Sequence, residues 1–204
     1  MEYIFSFLIG YLSGSIPTAY LILKKVKGID ITIAGSGNVG AMNSFEVTKS
    51  KWLGFLVFFI DFLKGIVPVL IVFFLFNFNF SLAAITLIFS IFSHCFNPWI
   101  GFKGGRGLAT AAGGILILYP ILLGAWIAFW FITYFIKKDI LISNIAATIL
   151  AHIFIFITFN QFINFAFPKP VLVNELLLFT SAGLIIIFIK HIEPLKDILS
   201  KKKP

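Results

Sequence analysis

The segment from residue 94 to residue 110 combines glycines with two cations in a chain that is otherwise strongly apolar. It reads His-Cys-Phe-Asn-Pro-Trp-Ile-Gly-Phe-Lys-Gly-Gly-Arg-Gly-Leu-Ala-Thr. Glycines let backbone N–H groups approach phosphate oxygens, and Lys103 and Arg106 supply positive charge. The small residues from 107 to 114 can begin a helix whose N-terminus favours an anion. We therefore expect this loop to bind a phosphorylated metabolite.

Another glycine-rich loop lies earlier in the chain, after the first apolar stretch, and reads Gly35-Ser36-Gly37-Asn38-Val39-Gly40-Ala41-Met42-Asn43. The spacing matches G-x-G-x-x-G, but a dinucleotide-binding loop of that pattern needs a βαβ unit, for which this chain has no room. The remaining interpretation is local: three glycines, a hydroxyl and two amide side chains can hold an anionic or acyl-phosphate group. A plain glycine turn is the alternative.

Two charged residues, Asp61 and Lys64, lie three positions apart within an apolar stretch. Ionised groups in such a helix are costly unless they pair with each other or face a cavity. Two interpretations therefore stay open: a structural ion pair, or a lysine that points toward a bound phosphate. Pro68, which follows them, favours a kink in the same helix.

Several common catalytic and metal-binding motifs are missing from the sequence. There is no Walker A loop, which disfavours an ATPase, and no His-x4-Asp dyad of the soluble-fold glycerolipid acyltransferases. The single cysteine, Cys95, and three scattered histidines provide no set of metal ligands. We expect neither a metal nor a cofactor.

The elements that must position these loops are membrane helices. A mean hydropathy of +1.05 and a charged fraction of only 12% are typical of polytopic membrane proteins. We predict one all-α membrane domain over residues 1–204, with about seven spans. The spans are predicted at 3–23, 52–76, 80–96, 104–118, 120–136, 140–159 and 174–189.

The basic residues favour one orientation of these spans. If the N-terminus is outside, only Lys169 of the 16 lysines and arginines falls on the outer side. This asymmetry predicts an N-out, C-in topology with both glycine-rich loops facing the cytoplasm. It also accounts for the net charge of +8 without a nucleic acid partner. The lysines at 201 to 203 are expected to contact anionic lipid headgroups.

The fourth predicted span is too short to cross a bilayer alone. About 15 residues of helix reach only ~22 Å, against a hydrocarbon core of ~30 Å. We therefore expect its glycine-rich start to lie inside the cytoplasmic leaflet, where irregular backbone needs protein or a water-filled cavity beside it. The phosphate-binding loop would then line that cavity.

Taken in order, these segments resemble the bacterial acyl-phosphate:glycerol-3-phosphate acyltransferases of the PlsY type. The resemblance is carried by Gly14-Ser15-Ile16-Pro17-Thr18-Ala19-Tyr20, Gly35-Ser36-Gly37-Asn38, the stretch from Asp61 to Gly65, His94, and Phe102-Lys103-Gly104-Gly105-Arg106-Gly107-Leu108-Ala109-Thr110. It implies a multi-pass enzyme of the bacterial inner membrane with its active site facing the cytoplasm. Such an enzyme moves a fatty acyl group from acyl-phosphate to the sn-1 hydroxyl of glycerol-3-phosphate, giving lysophosphatidate and phosphate.

The resemblance also implies site residues. Ser36 matches an essential serine of the family, and Ser143 and His191 match polar residues of its third motif, so these three are the candidate catalytic residues. The candidate substrate-binding residues are Gly35, Gly37, Asn38, Asn43, Lys64, His94, Lys103, Gly104, Gly105, Arg106, Gly107 and Thr110. Acyl-phosphate is already activated, so binding two anions together and stabilising the intermediate can supply most of the catalysis. The proton acceptor stays open between a phosphate oxygen, His191 and His94.

The chain departs from the family pattern at several positions. Glu46 stands where the pattern has an arginine, Pro194 where it has an asparagine and Met42 where it has a threonine. The closing Gly-x-Glu of the pattern is missing as well. A carboxylate in place of an arginine repels phosphate. Two alternatives to the enzyme therefore stay open: a catalytically degenerate paralogue that binds phosphate or anionic lipid, and a small membrane transporter.

Overall fold

The computed structural model describes the backbone of residues 1–201 and the side chains of residues 1–196. The described residues form nine α-helices and no β-strand, which confirms the all-α fold. The lysines at 202 and 203, part of the predicted headgroup-binding tail, lie outside the described residues. The helices are α1 (Glu2–Gly14), α2 (Thr18–Lys27), α3 (Ala41–Thr48), α4 (Lys51–Leu75), α5 (Phe80–Cys95), α6 (Leu108–Leu118), α7 (Pro120–Lys137), α8 (Ile140–Phe162) and α9 (Val173–Lys201).

Six apolar stretches are long enough to cross a membrane, and a shorter apolar helix accompanies them. The six are Glu2–Lys27, Lys51–Leu75, Phe80–Ile100, Pro120–Lys137, Ile140–Phe165 and Val173–Lys196. The shorter one is α6, which begins at Leu108 and not at residue 104 as predicted. The difference arises at Gly107, whose φ of 81° is left-handed, so the residues from 104 to 107 are a loop that leads into the helix.

The first predicted span, 3–23, is broken into two helices. Proline has no N–H and disfavours helical backbone in the residue before it, so the break falls at Ile16 and Pro17. Helix α1 ends at Gly14 and α2 begins at Thr18. At the break the Ile16 carbonyl accepts from the Thr18 N–H at 2.9 Å and from Lys64 Nζ at 2.6 Å.

Glycines bring two pairs of helices into backbone contact. Gly10 and Gly14 of α1 lie against the backbone of α5, where an added Cβ would clash with carbonyl oxygens. In the same way, Gly65 of α4 lies against the backbone of α6, and Gly113 of α6 lies against the backbone of α4. Small residues at such crossings allow the close packing on which membrane helices depend. Gly10 and Gly14, four residues apart on one face of α1, form such a pair of small residues.

Helix α3 lies within the segment predicted to be a long cytoplasmic loop. It begins after Gly40, and it packs on the start of α4, where a Cβ at Gly54 would come within 2.9 Å of Phe45 Cβ. The sequence pattern did not indicate this helix because it has only eight residues. Its function in the fold is to hold Asn43 and Glu46 beside the two glycine-rich loops.

Helices α7, α8 and α9 complete the bundle on the far side of α5 and α6. Two tryptophans of α7 donate to α8: Trp126 Nε1 to Thr148 Oγ1 at 3.2 Å and Trp130 Nε1 to Asn144 Oδ1 at 2.7 Å. Helix α9 packs on α5 and α8 and continues through Pro194 to Lys201. It therefore extends beyond the span predicted at 174–189.

Candidate active site

In chain order, the first glycine-rich loop is the segment at residues 35–43 and the second is the segment at residues 101–107. The first loop is folded around the side chain of Asn43, which is 1% exposed. Asn43 Nδ2 donates to the carbonyls of Ala34 at 3.0 Å and Asn38 at 2.9 Å. Its Oδ1 accepts from the Ser36 N–H at 3.0 Å. Both amide hydrogens and the carbonyl of Asn43 are thereby used within the protein, so this residue organises the loop.

The glycines of this loop leave Ser36 at the surface. Gly35 and Gly37 have φ values of 59° and 69°, which L side chains rarely adopt. An added Cβ at Gly35 would also clash with Asn43 Oδ1. Ser36 lies exposed between the two glycines, and within the described residues its hydroxyl makes no hydrogen bond. The hydroxyl is therefore available to a bound molecule.

The second glycine-rich loop folds back onto the end of α5. Gly105 N–H donates to the His94 carbonyl at 3.1 Å. A Cβ at Gly104 would clash with the His94 and Cys95 carbonyls, and one at Gly105 would clash with the His94 ring. Val39 N–H donates to the Gly104 carbonyl at 3.2 Å. This backbone bond joins the two glycine-rich loops into one surface, although about sixty residues of sequence separate them.

The two cations of the second loop have different environments. Lys103 is exposed, with Nζ 3.5 Å from the Thr32 carbonyl. Arg106 is half-buried, and burial lowers the pKa of its guanidinium while the nearby Glu46 carboxylate raises it. A guanidinium stays charged at physiological pH in either case. Arg106 therefore offers a permanent positive charge inside the protein surface.

The charged pair of α4 is buried beneath the loops. Lys64 Nζ lies 2.7 Å from Asp61 Oδ1 and also donates to Ile16 O, so the structural ion pair is the interpretation that the structure supports. His94 Nδ1 lies 3.8 Å from the same carboxylate oxygen. Thr110 Oγ1 donates to the Asp61 carbonyl at 3.0 Å and ties α6 to α4. The Lys64 ammonium is therefore directed at protein acceptors.

A cavity of ≈ 420 Å³ lies between the loops and the membrane helices. Its polar side chains are Asn38, Asp61, His94, Arg106 and Asn144. Most of its apolar side chains come from α6, α7 and α9 and include Ile115, Leu122, Leu123, Trp126, Ile127, Leu184 and Ile187. Such a cavity fits a molecule that has an anionic head and a long apolar chain.

The comparisons with known proteins agree with this geometry. The family model described as glycerol-3-phosphate acyltransferase matches residues 4–201. The glycerol-3-phosphate acyltransferase of Aquifex aeolicus is 34% identical over 203 residues, which cover 100% of this chain and 98% of the relative. The chain belongs to the glycerol-3-phosphate acyltransferase family. The resemblance inferred from the motifs is confirmed.

Further relatives support the membership of this family. The glycerol-3-phosphate acyltransferase of Helicobacter pylori is 37% identical over 146 residues, which cover 69% of this chain and 64% of the relative. The crystal structure of PlsY, an integral membrane glycerol 3-phosphate acyltransferase, in its glycerol 3-phosphate form is 31% identical with a TM-score of 0.80. The lysophosphatidic acid form of the same protein has a TM-score of 0.78. Both alignments cover 100% of this chain and 95% of that one.

Two of the predicted catalytic residues, Ser143 and His191, do not line the cavity. Ser143 Oγ donates to the Asp139 carbonyl at 2.6 Å. His191 is 1% exposed, and its Nδ1 lies 2.8 Å from the Ile187 carbonyl. Its Nε2 is buried and has no partner among the described residues, and Arg106 is close enough to interact with the ring electrostatically. Of the three candidate catalytic residues, only Ser36 is open to solvent.

The predicted substrate-binding residues divide into two groups. Asn38, His94, Arg106 and Gly107 line the cavity together. The others support the loops around it or lie at its rim: Gly35, Gly37, Asn43, Lys64, Lys103, Gly104, Gly105 and Thr110.

The departures from the acyltransferase pattern also have places in the structure. Met42 lines the cavity, and Glu46 follows it by one turn of α3, where it is exposed and interacts electrostatically with Arg106. Pro194 lies within α9, one turn after His191. Proline removes one backbone donor from the helix at this point. Of these departures, Met42 is the one that lines the cavity, and the charge change at residue 46 lies near enough to Arg106 to act on its charge.

The sequence interpretation missed Asn144 as a cavity residue. Its signal was present, because a polar residue inside a membrane span usually faces the protein interior or a cavity. The resemblance to the family pointed to the neighbouring Ser143 and not to Asn144. Asp61 was noted as half of an ion pair, but its place in the cavity lining was not predicted.

Proposed function

We propose that this protein transfers a fatty acyl group from acyl-phosphate to the sn-1 hydroxyl of glycerol-3-phosphate and releases lysophosphatidate and phosphate. The observation that carries this proposal is the composition of the cavity. Polar side chains from the glycine-rich loops and apolar side chains from the membrane helices line one space. An acyl-phosphate has an anionic head directly attached to an apolar chain, so its two ends match the two kinds of lining.

The phosphate groups of both substrates are expected at the joined glycine-rich loops. Arg106 is the one arginine or lysine among the described residues that line the cavity, and Lys103 lies exposed on the same loop. Guanidinium groups bind phosphate through two parallel hydrogen bonds, which fix its orientation as well as its position. The exposed hydroxyl of Ser36 can donate a further bond. Two anions held side by side would bring the acceptor hydroxyl to the acyl carbonyl.

The acyl transfer needs no covalent enzyme intermediate. The sn-1 hydroxyl oxygen attacks the acyl carbonyl carbon, and the bond from that carbon to the phosphate oxygen breaks. The hydroxyl proton passes to a phosphate oxygen of the donor, which leaves as inorganic phosphate. Positive charge from Arg106 and hydrogen bonds from Ser36 would stabilise the charge on the phosphate as it leaves. His94 and His191 are the protein alternatives for accepting the proton.

We propose the bacterial cytoplasmic membrane as its location, with the active site facing the cytoplasm. The last turn of α2 carries Lys24, Lys25 and Lys27. This cluster lies on the same side of the predicted topology as Lys103 and Arg106. Basic residues next to membrane spans are concentrated on the cytoplasmic side, which supports this orientation.

The proposal is tested with purified protein in a lipid environment. Palmitoyl-phosphate and glycerol-3-phosphate are supplied, and phosphate release and lysophosphatidate are measured, with palmitoyl-CoA as the control donor. Turnover with acyl-phosphate and none with acyl-CoA is the expected result. A folded protein that binds glycerol-3-phosphate without turnover would instead be a binding-only member of the family. Counterflow of glycerol-3-phosphate across proteoliposomes without acyl transfer would indicate a transporter.

A further inference from the structure

Asn144 is a polar residue that α8 presents to the cavity, and no role has been assigned to it above. Helix α8 begins after Asp139, whose Oδ1 accepts from the Ile142 N–H at 2.9 Å. Asn144 therefore lies about 6 Å along the helix from its start. It is 9% exposed, and it lines the cavity together with apolar residues such as Trp126 and Leu122. This places an amide next to the apolar part of the lining.

The orientation of this amide is determined by a second helix. Trp130 Nε1 of α7 lies 2.7 Å from Asn144 Oδ1. An indole nitrogen can only donate, so the amide oxygen must face it and the amide nitrogen must point the other way. Trp130 is itself held by stacking on Tyr134, with ring centroids 4.9 Å apart and planes at 6°. Among the described residues, no acceptor binds Asn144 Nδ2.

A second contact one turn further along α8 keeps this part of the helix in place. Thr148 Oγ1 donates to the Asn144 carbonyl at 2.8 Å and accepts from Trp126 Nε1 at 3.2 Å. Helices α7 and α8 are therefore joined at two successive turns beside the cavity. An amide that is held in this way can bind a ligand oxygen with little loss of side-chain entropy.

The neighbouring serine does not offer the same donor. The Ser143 hydroxyl donates its one hydrogen to the Asp139 carbonyl and does not line the cavity. Asn144 Nδ2 has two hydrogens and makes no hydrogen bond within the described residues. On this turn of α8, Asn144 is thus the donor that faces the cavity.

We propose that Asn144 Nδ2 binds an oxygen of the acyl-phosphate head, where the head joins the acyl chain. This inference rests on the proposed function and assigns a substrate-binding residue to it. The carbonyl and phosphate oxygens of the donor accept hydrogen bonds, and they are attached directly to its apolar chain. Glycerol-3-phosphate has no apolar part that would place it against Trp126 and Leu122. Asn144 therefore recognises the donor and not the acceptor.

The test compares three variants under the assay described above. Asn144→Ala removes the donor, and Asn144→Asp keeps the shape and the bond from Trp130 but replaces the amide N–H groups with an acceptor. Both should raise the KM for palmitoyl-phosphate by about 10- to 100-fold, the range for a hydrogen bond to a charged group, and leave the KM for glycerol-3-phosphate unchanged. Asn160→Ala is the matched control, because Asn160 is exposed on the same helix outside the cavity. It should behave as the wild type.

Trp130→Phe tests how the amide is held. Without the indole donor the Asn144 amide can flip, but its N–H groups remain. The KM for palmitoyl-phosphate should therefore rise, and by less than in Asn144→Ala. If Asn144→Ala does not fold, the nearly isosteric Asn144→Asp variant carries the test alone.

Three results would overturn the inference. The first is a wild-type KM for palmitoyl-phosphate in Asn144→Asp, which would mean that the amide serves only to bind Trp130. The second is an increase in the KM for glycerol-3-phosphate alone, which would assign Asn144 to the acceptor. The third is an inactive wild-type protein, which would remove the proposed function itself and this inference with it.

Discussion

Two pairs of oppositely charged side chains lie near the cavity. They differ in how deeply they are buried and in whether the two charges touch. Lys64 and Asp61 are separated by 2.7 Å, and their side chains are only 4% and 3% exposed. Glu46 is exposed, and it interacts with the half-buried Arg106 without direct ion-pair contact. The first pair holds the fold together. The second leaves a cation free to bind an anion.

The difference follows from the partners around each cation. The Lys64 ammonium has a carboxylate and the Ile16 carbonyl within 2.7 Å, and Asp61 lies close to His94 as well. Arg106 has no hydrogen bond to any described residue, although it lines the cavity. A buried cation is tolerated only when it is paired, whereas one at a cavity can remain open to a ligand. The surroundings of each cation therefore determine whether it stabilises the fold or is available to bind a ligand.

The largest effect is expected from breaking the buried pair. Lys64→Met leaves the Asp61 carboxylate buried and unpaired, which should cost roughly 3–5 kcal/mol of stability. Thermal unfolding in detergent measures this loss. The double variant Asp61→Asn with Lys64→Met removes both charges and should recover part of it. A wild-type melting temperature for Lys64→Met would show that the pair does not hold the bundle together.

Replacing Arg106, the cation without a hydrogen-bond partner among the described residues, should lower activity and leave stability nearly unchanged. Arg106→Ala should lower kcat/KM by about 100-fold, because a charge-assisted contact to phosphate is lost. Arg106→Lys keeps the positive charge but loses the two parallel hydrogen bonds, so its kcat/KM should lie between those of the wild type and Arg106→Ala. Steady-state kinetics with both substrates, together with melting curves, measure the two effects separately. Equal losses of stability in Arg106→Ala and Lys64→Met would remove the distinction between the pairs.

A smaller effect, of opposite sign, is expected at Glu46. Glu46→Arg should raise kcat/KM by about 3- to 10-fold, because a charge that repels phosphate becomes one that attracts it. Glu46→Gln should give a smaller increase. The gain should shrink at high salt, since Glu46 is exposed and its charge is screened. A lower activity for Glu46→Arg would mean that the local charges are arranged around the carboxylate.

The smallest effect concerns Asp30, a partly exposed carboxylate near Lys103. Hydrogen bonds from the Thr32 hydroxyl and N–H lower the pKa of Asp30 below 3.8. A carboxyl whose pKa is lowered by folding stabilises the native state above its unfolded pKa, and this contribution is lost as the pH falls through the folded value. Melting temperatures should therefore fall slightly more for the wild type than for Asp30→Asn between pH 5 and pH 3, as differences on the order of one degree. If the melting temperatures of the wild type and Asp30→Asn fell in parallel with pH, the hydrogen bonds from Thr32 would not contribute to stability.

The sequence predicted four of the residues that line the cavity, Asn38, His94, Arg106 and Gly107, because its signals were local. The glycine-rich loops, the spacing of Asp61 and Lys64 and the order of the motifs indicated the family. The division of the first span was not predicted, although Pro17 was present, because hydropathy alone does not locate a break inside an apolar stretch. Helix α3 was missed because eight residues carry little periodic signal.

The sequence by itself determined the membrane-embedded helical class, the family and the residue types that can bind phosphate. Composition and local spacing carry that information along the chain. Only the tertiary structure decided that Lys64 donates to Ile16, that Glu46 lies near Arg106, and that a tryptophan of α7 orients the amide of Asn144. Each of these interactions joins different elements of the chain. The packing of helices, and not the order of residues, determines which polar groups are paired and which remain open to a substrate.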